Sequence, residues 1–462
     1  MTAKAALKDP VTEGLRALLG GRFSTAANVC EQHGRDESYH TPHAPDAVAF
    51  ARSTADAAAI VKICARHKRP LIPFGAGTSL EGHVAALHGG VSIDLSGMKE
   101  VIEVNAEDMD CRVEAGVTRR QLNDHLRDTG LFFPVDPGAE ATFGGMAATR
   151  ASGTNAVRYG TMAENVLGLT VVLADGRVIN TGGRARKSAA GYDLTRLFVG
   201  SEGTLGVITE IGLRLHGIPE AISSAVCPFK DLEGAVNAVI ATIQMGVPVA
   251  RVEFLDEVQI DAVNKYSKLD CPVAPTLFFE FHGSDRGVKE QAETVGGLIE
   301  DFGGGPFDWA SGTEEHNRLW QARADAYYAA LALRPGAKGW ATDVCVPISA
   351  LARCIVETRR EIDEAGLLAP IVGHVGDGNF HVIFILDPLD KAEMAKAIAV
   401  NESMLARALA MGGTSTGEHG IGHGKIDALI AEHGEAVGVM AALKRALDPD
   451  NIMNPGKILR IN

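Results

Sequence analysis

Thr142-Phe143-Gly144-Gly145-Met146-Ala147-Ala148-Thr149-Arg150-Ala151-Ser152-Gly153 is the stretch whose reading decides the fold. Glycine, alanine, serine and threonine crowd it, and only residues this small let a backbone close on a flat ring or a sugar while still offering hydrogen bonds. Val135-Asp136-Pro137-Gly138 precedes it and Arg158-Tyr159-Gly160 follows. A structural turn needs one or two glycines, so the whole tract reads as the wall of a ligand site.

Upstream, Pro73-Phe74-Gly75-Ala76-Gly77-Thr78-Ser79 leaves a strand-like run and presents N–H groups and two hydroxyls in a tight loop, a nest suited to a diphosphate. It is neither familiar phosphate loop: Leu80 stands at the third glycine position of GxGxxG, and no Gly-Lys-Ser/Thr follows. Alone it carries little weight, because glycine turns after strands are common. Downstream, Phe198-Val199-Gly200-Ser201-Glu202-Gly203-Thr204-Leu205-Gly206-Val207-Ile208-Thr209 repeats the small-residue character.

At 462 residues the chain is too long for one core. Pro42 and Pro45 close a mixed N-terminal extension over 1–44, whose only regular stretch is a short helix. From residue 45 to Pro219 the pattern is largely β: strands at 48–50, 70–74, 91–95, 101–104, 112–116, 168–173, 177–180 and 206–215, with a helix from an N-capping Thr54 to about His67. Over 220–405 strands at 225–228, 251–255 and 276–281 mix with helices at 231–245, 285–302 and 314–333. Their unequal runs predict an α+β unit with an antiparallel sheet. The closing segment, 406–462, carries the end of a 401–411 helix and a helix over 426–447. No repeat or low-complexity segment interrupts this order.

A second chemistry sits at His374-Val375-Gly376-Asp377-Gly378-Asn379-Phe380-His381. Asp377-Gly378 suits a two-residue hairpin turn, which predicts His374 and His381 opposite each other across two strands. Cβ atoms so paired are about 4.5–5.5 Å apart, within reach of one cation. Glu418-His419, inside Ser415-Thr416-Gly417-Glu418-His419-Gly420, offers a further carboxylate and a base. The competing reading is glycine-rich loops whose histidines merely bond backbone carbonyls.

Composition removes whole classes of function. A formal charge of −14 without a Lys/Arg run argues against a nucleic-acid partner, since phosphate binding needs a basic stripe. Seven cysteines without CxxC spacing imply neither a disulfide framework nor a zinc ribbon, and point to a reducing, cytoplasmic setting. Asp9 and Glu13 near the start speak against a secretory signal, and no apolar run of 18 residues reads as a membrane span; peripheral docking at a membrane stays open.

In order and spacing, Pro73 to Ser79, Asp136 to Gly160 and Gly200 to Thr209 resemble the FAD-binding domain of the vanillyl-alcohol oxidase/PCMH flavoprotein superfamily. His374-x6-His381, Gly417-Glu418-His419-Gly420 and Asn454-Pro455-Gly456-Lys457 narrow the likeness to the FAD-linked D-2-hydroxy-acid dehydrogenases. Ala250-Arg251-Val252-Glu253-Phe254-Leu255-Asp256 and Thr342-Asp343-Val344-Cys345-Val346-Pro347 favour the branch that acts on D-lactate, the cytochrome type. The resemblance covers about residues 40 to 460. It implies an α+β fold: a PCMH-type FAD-binding domain of two subdomains over 45–219, an antiparallel-sheet cap over 220–405, and a C-terminal segment returning to the flavin.

It also implies roles. Non-covalent FAD would be held by Pro73, Gly75, Ala76, Gly77, Thr78, Ser79, Pro137, Gly138, Thr142, Gly145, Ala148, Ser152, Gly153, Tyr159, Gly160, Glu202, Gly206, Ile208 and Asn454. His374, His381 and Glu418 would hold a divalent metal, Zn or Mn, with His419 as base. Arg323, in Leu319-Trp320-Gln321-Ala322-Arg323, takes the place of the arginine that binds substrate carboxylate; residue type alone reads it as an exposed helical arginine.

The implied reaction is oxidation of D-lactate and related D-2-hydroxy acids to 2-oxo acids, by hydride transfer to the flavin. A separate acceptor (a cytochrome, a quinone or an electron-transfer flavoprotein) would take the electrons, and a homodimer is compatible with the sequence. A D-2-hydroxyglutarate or glycolate dehydrogenase would share these motifs. An ether-lipid-type transferase is disfavoured by the paired histidines, and a bare electron-transfer subunit would not keep them. Relatives that take the dicarboxylate have a lysine two residues before the cap-strand aspartate; here Ala341 stands there, with Tyr327 and Trp340 offered as an apolar wall or as ordinary core.

Overall fold

The computed structural model describes residues 9–310 and 312–461, which fall into two compact units. One comprises 9–151, 161–217 and 418–461; the other comprises 152–160 and 218–417. The chain therefore changes unit at 217/218 and 417/418, and residues 152–160, inside the small-residue tract, belong to the second unit.

In the first unit, three parallel strands are ordered Ala47–Phe50, Val91–Asp94, Leu71–Phe74. Their near-continuous burial is what a parallel sheet covered on both faces demands. Helix Thr54–Arg66 connects the first to the last and buries Ala57, Ile60, Val61 and Cys64 at helical spacing. Its cap is Ser53, not Thr54: the Ser53 hydroxyl accepts the Asp56 N–H. The N-terminal residues are built into this unit. Strand Phe23–Ser24 pairs with Ala47–Phe50, and Val11, Leu15 and Leu19 of helix Pro10–Leu19 enter the same core as Ile60 and Val61.

A second sheet of this unit is antiparallel, ordered Val101–Asn105, Asp110–Glu114, Val207–Arg214, Val166–Val172, Val178–Gly182. The end of the chain returns to the edge of Leu71–Phe74, where the Leu71 N–H donates to Ile452 O and the Asn454 N–H to Leu71 O. The single helix expected over 426–447 is two, Ile426–His433 and Ala436–Leu447, separated at Gly434, whose φ of 52° no helix accommodates.

The second unit is one antiparallel sheet with helices. Its order is Asp308–Trp309, Ala221–Pro228, Thr276–Gly283, Arg251–Leu255, Ile371–Gly373, Asn379–Leu386, Lys338–Ala341, with Val344–Cys345 also pairing to Asn379–Leu386. Strand alternation gives the sheet two faces. Val226, Leu255, Phe278, Val372, Ile383 and Ile385 line one, packed with Ile260 and Val263 of helix Glu257–Ser267 and with Ala326, Ala329 and Ala330 of helix Ala326–Ala332. The helix expected over 314–333 is broken at Asp325 into Thr313–Ala324 and Ala326–Ala332. Trp340 pairs with Phe384 and packs its ring against it, which puts it on the opposite face from His381 and Ala341. It is buried as part of the core on that face.

Candidate functional site

Near the middle of that sheet His374 and His381 meet, though by a different route from the hairpin expected. Val372, not His374, is the register partner of His381. The connection is a 3-10 turn, Val375–Asp377, closed by Gly378 at φ 79°, and His374 O accepts the N–H groups of Asp377 and Asn379. The turn takes up more residues than a two-residue hairpin and leaves His374 just beyond its strand. The rings still lie edge to face with centroids 5.5 Å apart.

Their hydrogen bonds fix their chemistry. His374 Nδ1 lies 2.8 Å from Glu253 Oε1, and His381 Nδ1 2.9 Å from Thr342 O. A carboxylate and a carbonyl only accept, so each Nδ1 carries a proton, and in the neutral ring it is Nε2 that has the lone pair a cation needs. Glu418 follows Gly417, the last residue of this unit, and one ligand atom each from His374, His381 and Glu418 lie within 4.8 Å of one another. Two imidazole nitrogens and a carboxylate oxygen are a donor set that suits Zn or Mn.

Arg323 is not the exposed helical arginine its residue type suggests: it is 8% exposed. Its Nε and Nη2 donate to Glu253 Oε2 at 2.8 and 2.6 Å. Burial raises the pKa of Glu253, but the charges of His374 and Arg323 outweigh it and hold the carboxyl below its ordinary value. His316, Trp320 and Arg323, at i, i+4 and i+7 of helix Thr313–Ala324, all face the sheet. His316 Nε2 lies 2.8 Å from Glu280 Oε2, and the Arg251 guanidinium sits 4.6 Å from the centre of the Trp320 ring.

Glu280 gathers a second polar group. His282 Nε2 is 2.7 Å from its Oε1, and His282 Nδ1 is 2.8 Å from the hydroxyl of Tyr159. Burial raises the Glu280 pKa, but hydrogen bonds from His282 and His316 and the Arg251 charge drive it well below the carboxylate range. Glu253, Glu280, Arg251 and His282 were missed as site residues by sequence reasoning. The signal that could have found them is charge at alternate positions, Arg251/Glu253 and Glu280/His282, in otherwise apolar strands.

In the first unit the glycine tracts converge. A Cβ on Gly75 would collide with Thr142 Oγ1, and one on Gly203 would press on the Pro73 ring. Thr142 caps helix Phe143–Thr149 by accepting the Gly145 N–H, and the Glu202 N–H donates to Ala148 O. Asn454 Nδ2 donates to Glu202 O and His83 O. Pro73, Gly75, Thr142, Gly145, Ala148, Glu202 and Asn454 are thus gathered around one region. Some of the others serve the protein itself: Ser79 Oγ donates to Asp36, and a Cβ on Gly206 would meet Val171. Ser152, Gly153, Tyr159 and Gly160 lie in the second unit.

Polar atoms left over mark the same region as a ligand site. Among the described residues, Ser201 Oγ and His83 Nδ1 are buried without a hydrogen-bond partner, while His83 Nε2 lies 3.3 Å from Glu202 Oε2. Such atoms are costly unless a polar ligand or water meets them, which fits a cofactor laid against these tracts. Glu202 also places the loop after the candidate base: its carboxylate accepts the N–H groups of Ile421 and Gly422 at 2.7 and 2.8 Å. Burial raises the pKa of Glu81, but the charge of Lys425, a hydrogen bond with His40 and the nearby His419 ring hold that buried carboxyl below its ordinary value.

Known proteins share this organisation. Residues 45–182 match the FAD binding domain family, and residues 218–458 match FAD linked oxidases, C-terminal domain. A Danio rerio protein named "Probable D-lactate dehydrogenase, mitochondrial" is 54% identical, over 100% of this chain and 94% of its own. The D-lactate dehydrogenase [cytochrome], mitochondrial, of Arabidopsis thaliana is 46% identical, over 96% of this chain and 79% of its own. The Saccharomyces cerevisiae D-lactate dehydrogenase [cytochrome] 1 is 38% identical, over 98% and 80%. Among solved structures, p-cresol methylhydroxylase with substrate bound superposes with a TM-score of 0.79 at 21% identity, covering 97% of this chain and 96% of that one. An alkyldihydroxyacetonephosphate synthase gives 0.75 at 20%, covering 98% and 88%. At such identities these two establish shared fold alone.

Proposed function

The chain belongs to the FAD-linked oxidases, and from that premise we propose that it oxidises D-lactate and related D-2-hydroxy acids to 2-oxo acids and passes the electrons to a separate acceptor. The observation that carries this reading is the grouping of His374, His381 and Glu418, with Arg323 joined to His374 through Glu253. A 2-hydroxy acid has a hydroxyl that must lose a proton and a carboxylate that must be held, and these residues offer a cation site and a guanidinium for the two.

FAD supplies the hydride acceptor, and a divalent cation supplies the charge that makes the hydroxyl more acidic. Arg323 binds the substrate carboxylate by charge-assisted hydrogen bonds and so orients C2. Since Glu253 engages its Nε/Nη2 edge, the carboxylate meets the Nη1 side. His419 removes the hydroxyl proton, work suited to a neutral imidazole near pH 7. A cytochrome, a quinone or an electron-transfer flavoprotein then takes the electrons. No helix among the described residues is long and apolar enough to cross a membrane.

Ala341 supports the choice of a monocarboxylate. It lies on the same sheet face as His381, two residues before Asp343, and offers no charge to a distal carboxylate, which on burial would lack a partner. The test is anaerobic flavin reduction, followed by loss of yellow absorbance, with D-lactate, D-2-hydroxybutyrate, D-2-hydroxyglutarate and the L-enantiomers on one preparation. The D-monocarboxylates should reduce the flavin, the L-acids should not, and D-2-hydroxyglutarate should be poor. Preference for the dicarboxylate would overturn the pocket argument, and no reduction by any hydroxy acid would overturn the function.

A further inference from the structure

We propose that Glu253 is a positioning residue that couples the two halves of the site, one carboxylate orienting both the metal-ligating His374 and the substrate-binding Arg323. The inference rests on the function proposed above. Glu253 stands at the centre of strand Arg251–Leu255 and is 1% exposed. Its oxygens are divided between the two partners: Oε1 is 2.8 Å from His374 Nδ1, while Oε2 accepts Arg323 Nε and Nη2 at 2.8 and 2.6 Å.

Two consequences follow from this division. A carboxylate facing Nδ1 keeps the proton there and leaves Nε2 as the donor atom for a cation, the orienting role that carboxylates play behind metal-bound histidines. On the other side, engagement of the Nε/Nη2 edge fixes the plane of the guanidinium and directs its Nη1 donors to the substrate. Rotation of the carboxylate to improve one contact would break the other. The angle at which substrate carboxylate is held and the grip on the cation are therefore set by one rigid group on one strand.

Glu253→Gln separates this role from simple packing. Arg323 has no acceptor, so the amide must turn its oxygen to Arg323 and its NH2 to His374, forcing the proton onto Nε2 and removing that nitrogen as a ligand. With purified FAD-loaded protein, Zn2+ or Mn2+ affinity measured against a competing chelator should fall about 10- to 100-fold in Glu253→Gln, the usual cost of losing such a partner. KM for D-lactate should rise as the anchor of Arg323 weakens from a carboxylate to a neutral amide oxygen. Glu253→Asp, which keeps an acceptor for both partners, should recover part of the cation affinity.

Arg323→Lys preserves charge but loses the fork, so it tests the coupling without changing direct repulsion of the cation. It should weaken cation binding several-fold in the wild-type background and add nothing in Glu253→Gln. Should Glu253→Gln fail to fold, the effect of Arg323→Lys on cation affinity decides. Unchanged cation affinity in folded, flavin-loaded Glu253→Gln or in Arg323→Lys would overturn the coupling alone. Wild-type protein that binds no cation would overturn the metal reading and the coupling with it.

Discussion

His419 and Gly145 are the residues at which the chemistry can be tested most cleanly. His419 is placed by Glu202, whose carboxylate holds the following two-residue stretch Ile421-Gly422 by its backbone, so the imidazole can be changed without dismantling the loop. His419→Asn should keep flavin and slow flavin reduction by about 10²- to 10⁴-fold, the usual worth of a general base; stopped-flow reduction by D-lactate checks this, and an unchanged rate would assign the proton to another group. At Gly145 a Cβ would meet only Thr142 Oγ1, at 3.4 Å, whereas at Gly75 it would collide with that atom. Gly145→Val should thus give folded protein with most of its flavin lost, read from absorbance beside far-ultraviolet circular dichroism. Full flavin in that variant would remove the tract from the cofactor site. These residue types and spacings were legible in the sequence. Glu253 was not, because nothing in one strand of sequence shows that its two oxygens meet residues 70 and 121 positions away.

Helix Thr313–Ala324 shows how an element can depend on charge. It buries only Ala322 and Arg323 and meets the sheet through His316–Glu280, Trp320 under Arg251, and Arg323–Glu253. Glu280 has a depressed pKa, so its contribution is present above the ordinary value of 4.5 and is lost as pH falls through the lower folded value. His316, facing Glu280 and Arg251 and beside Asn317, has a raised pKa, chiefly from its hydrogen bond to Glu280. Its contribution is complete below 6.5 and is lost as pH rises through the higher folded value. The helix should therefore be held most firmly between about pH 4.5 and 6.5. Fluorescence of Trp320 in a Trp309→Phe/Trp340→Phe background should change above pH 6.5, and His316→Gln should abolish that step. A flat profile would show that His316 does not help to hold the helix. Sequence periodicity showed a helix here but neither its break at Asp325 nor its burial of charge, because both depend on the sheet beneath it.

Across the whole molecule, the flavin tracts of the first unit and the histidine pair of the second lie on different scaffolds, the one glycine loops beside a parallel sheet, the other an antiparallel sheet. Removal of a divalent cation with a chelator should accordingly abolish turnover and leave the flavin spectrum in place, with Zn2+ or Mn2+ restoring activity. Joint loss of flavin and activity would show that the two sites are not separable. The sequence by itself determined the α+β class, the glycine tracts, the family and the pair His374/His381 with Glu418-His419, because these are set by residue type and spacing along the chain. Tertiary structure alone decided that 152–160 belongs with the second unit, that Val372 rather than His374 faces His381, that Trp340 points away from the site, and that Arg323 is buried against Glu253. Register, the face on which a side chain falls and the partner of a buried charge are properties of strands and helices brought together from distant sequence, and no local pattern encodes them.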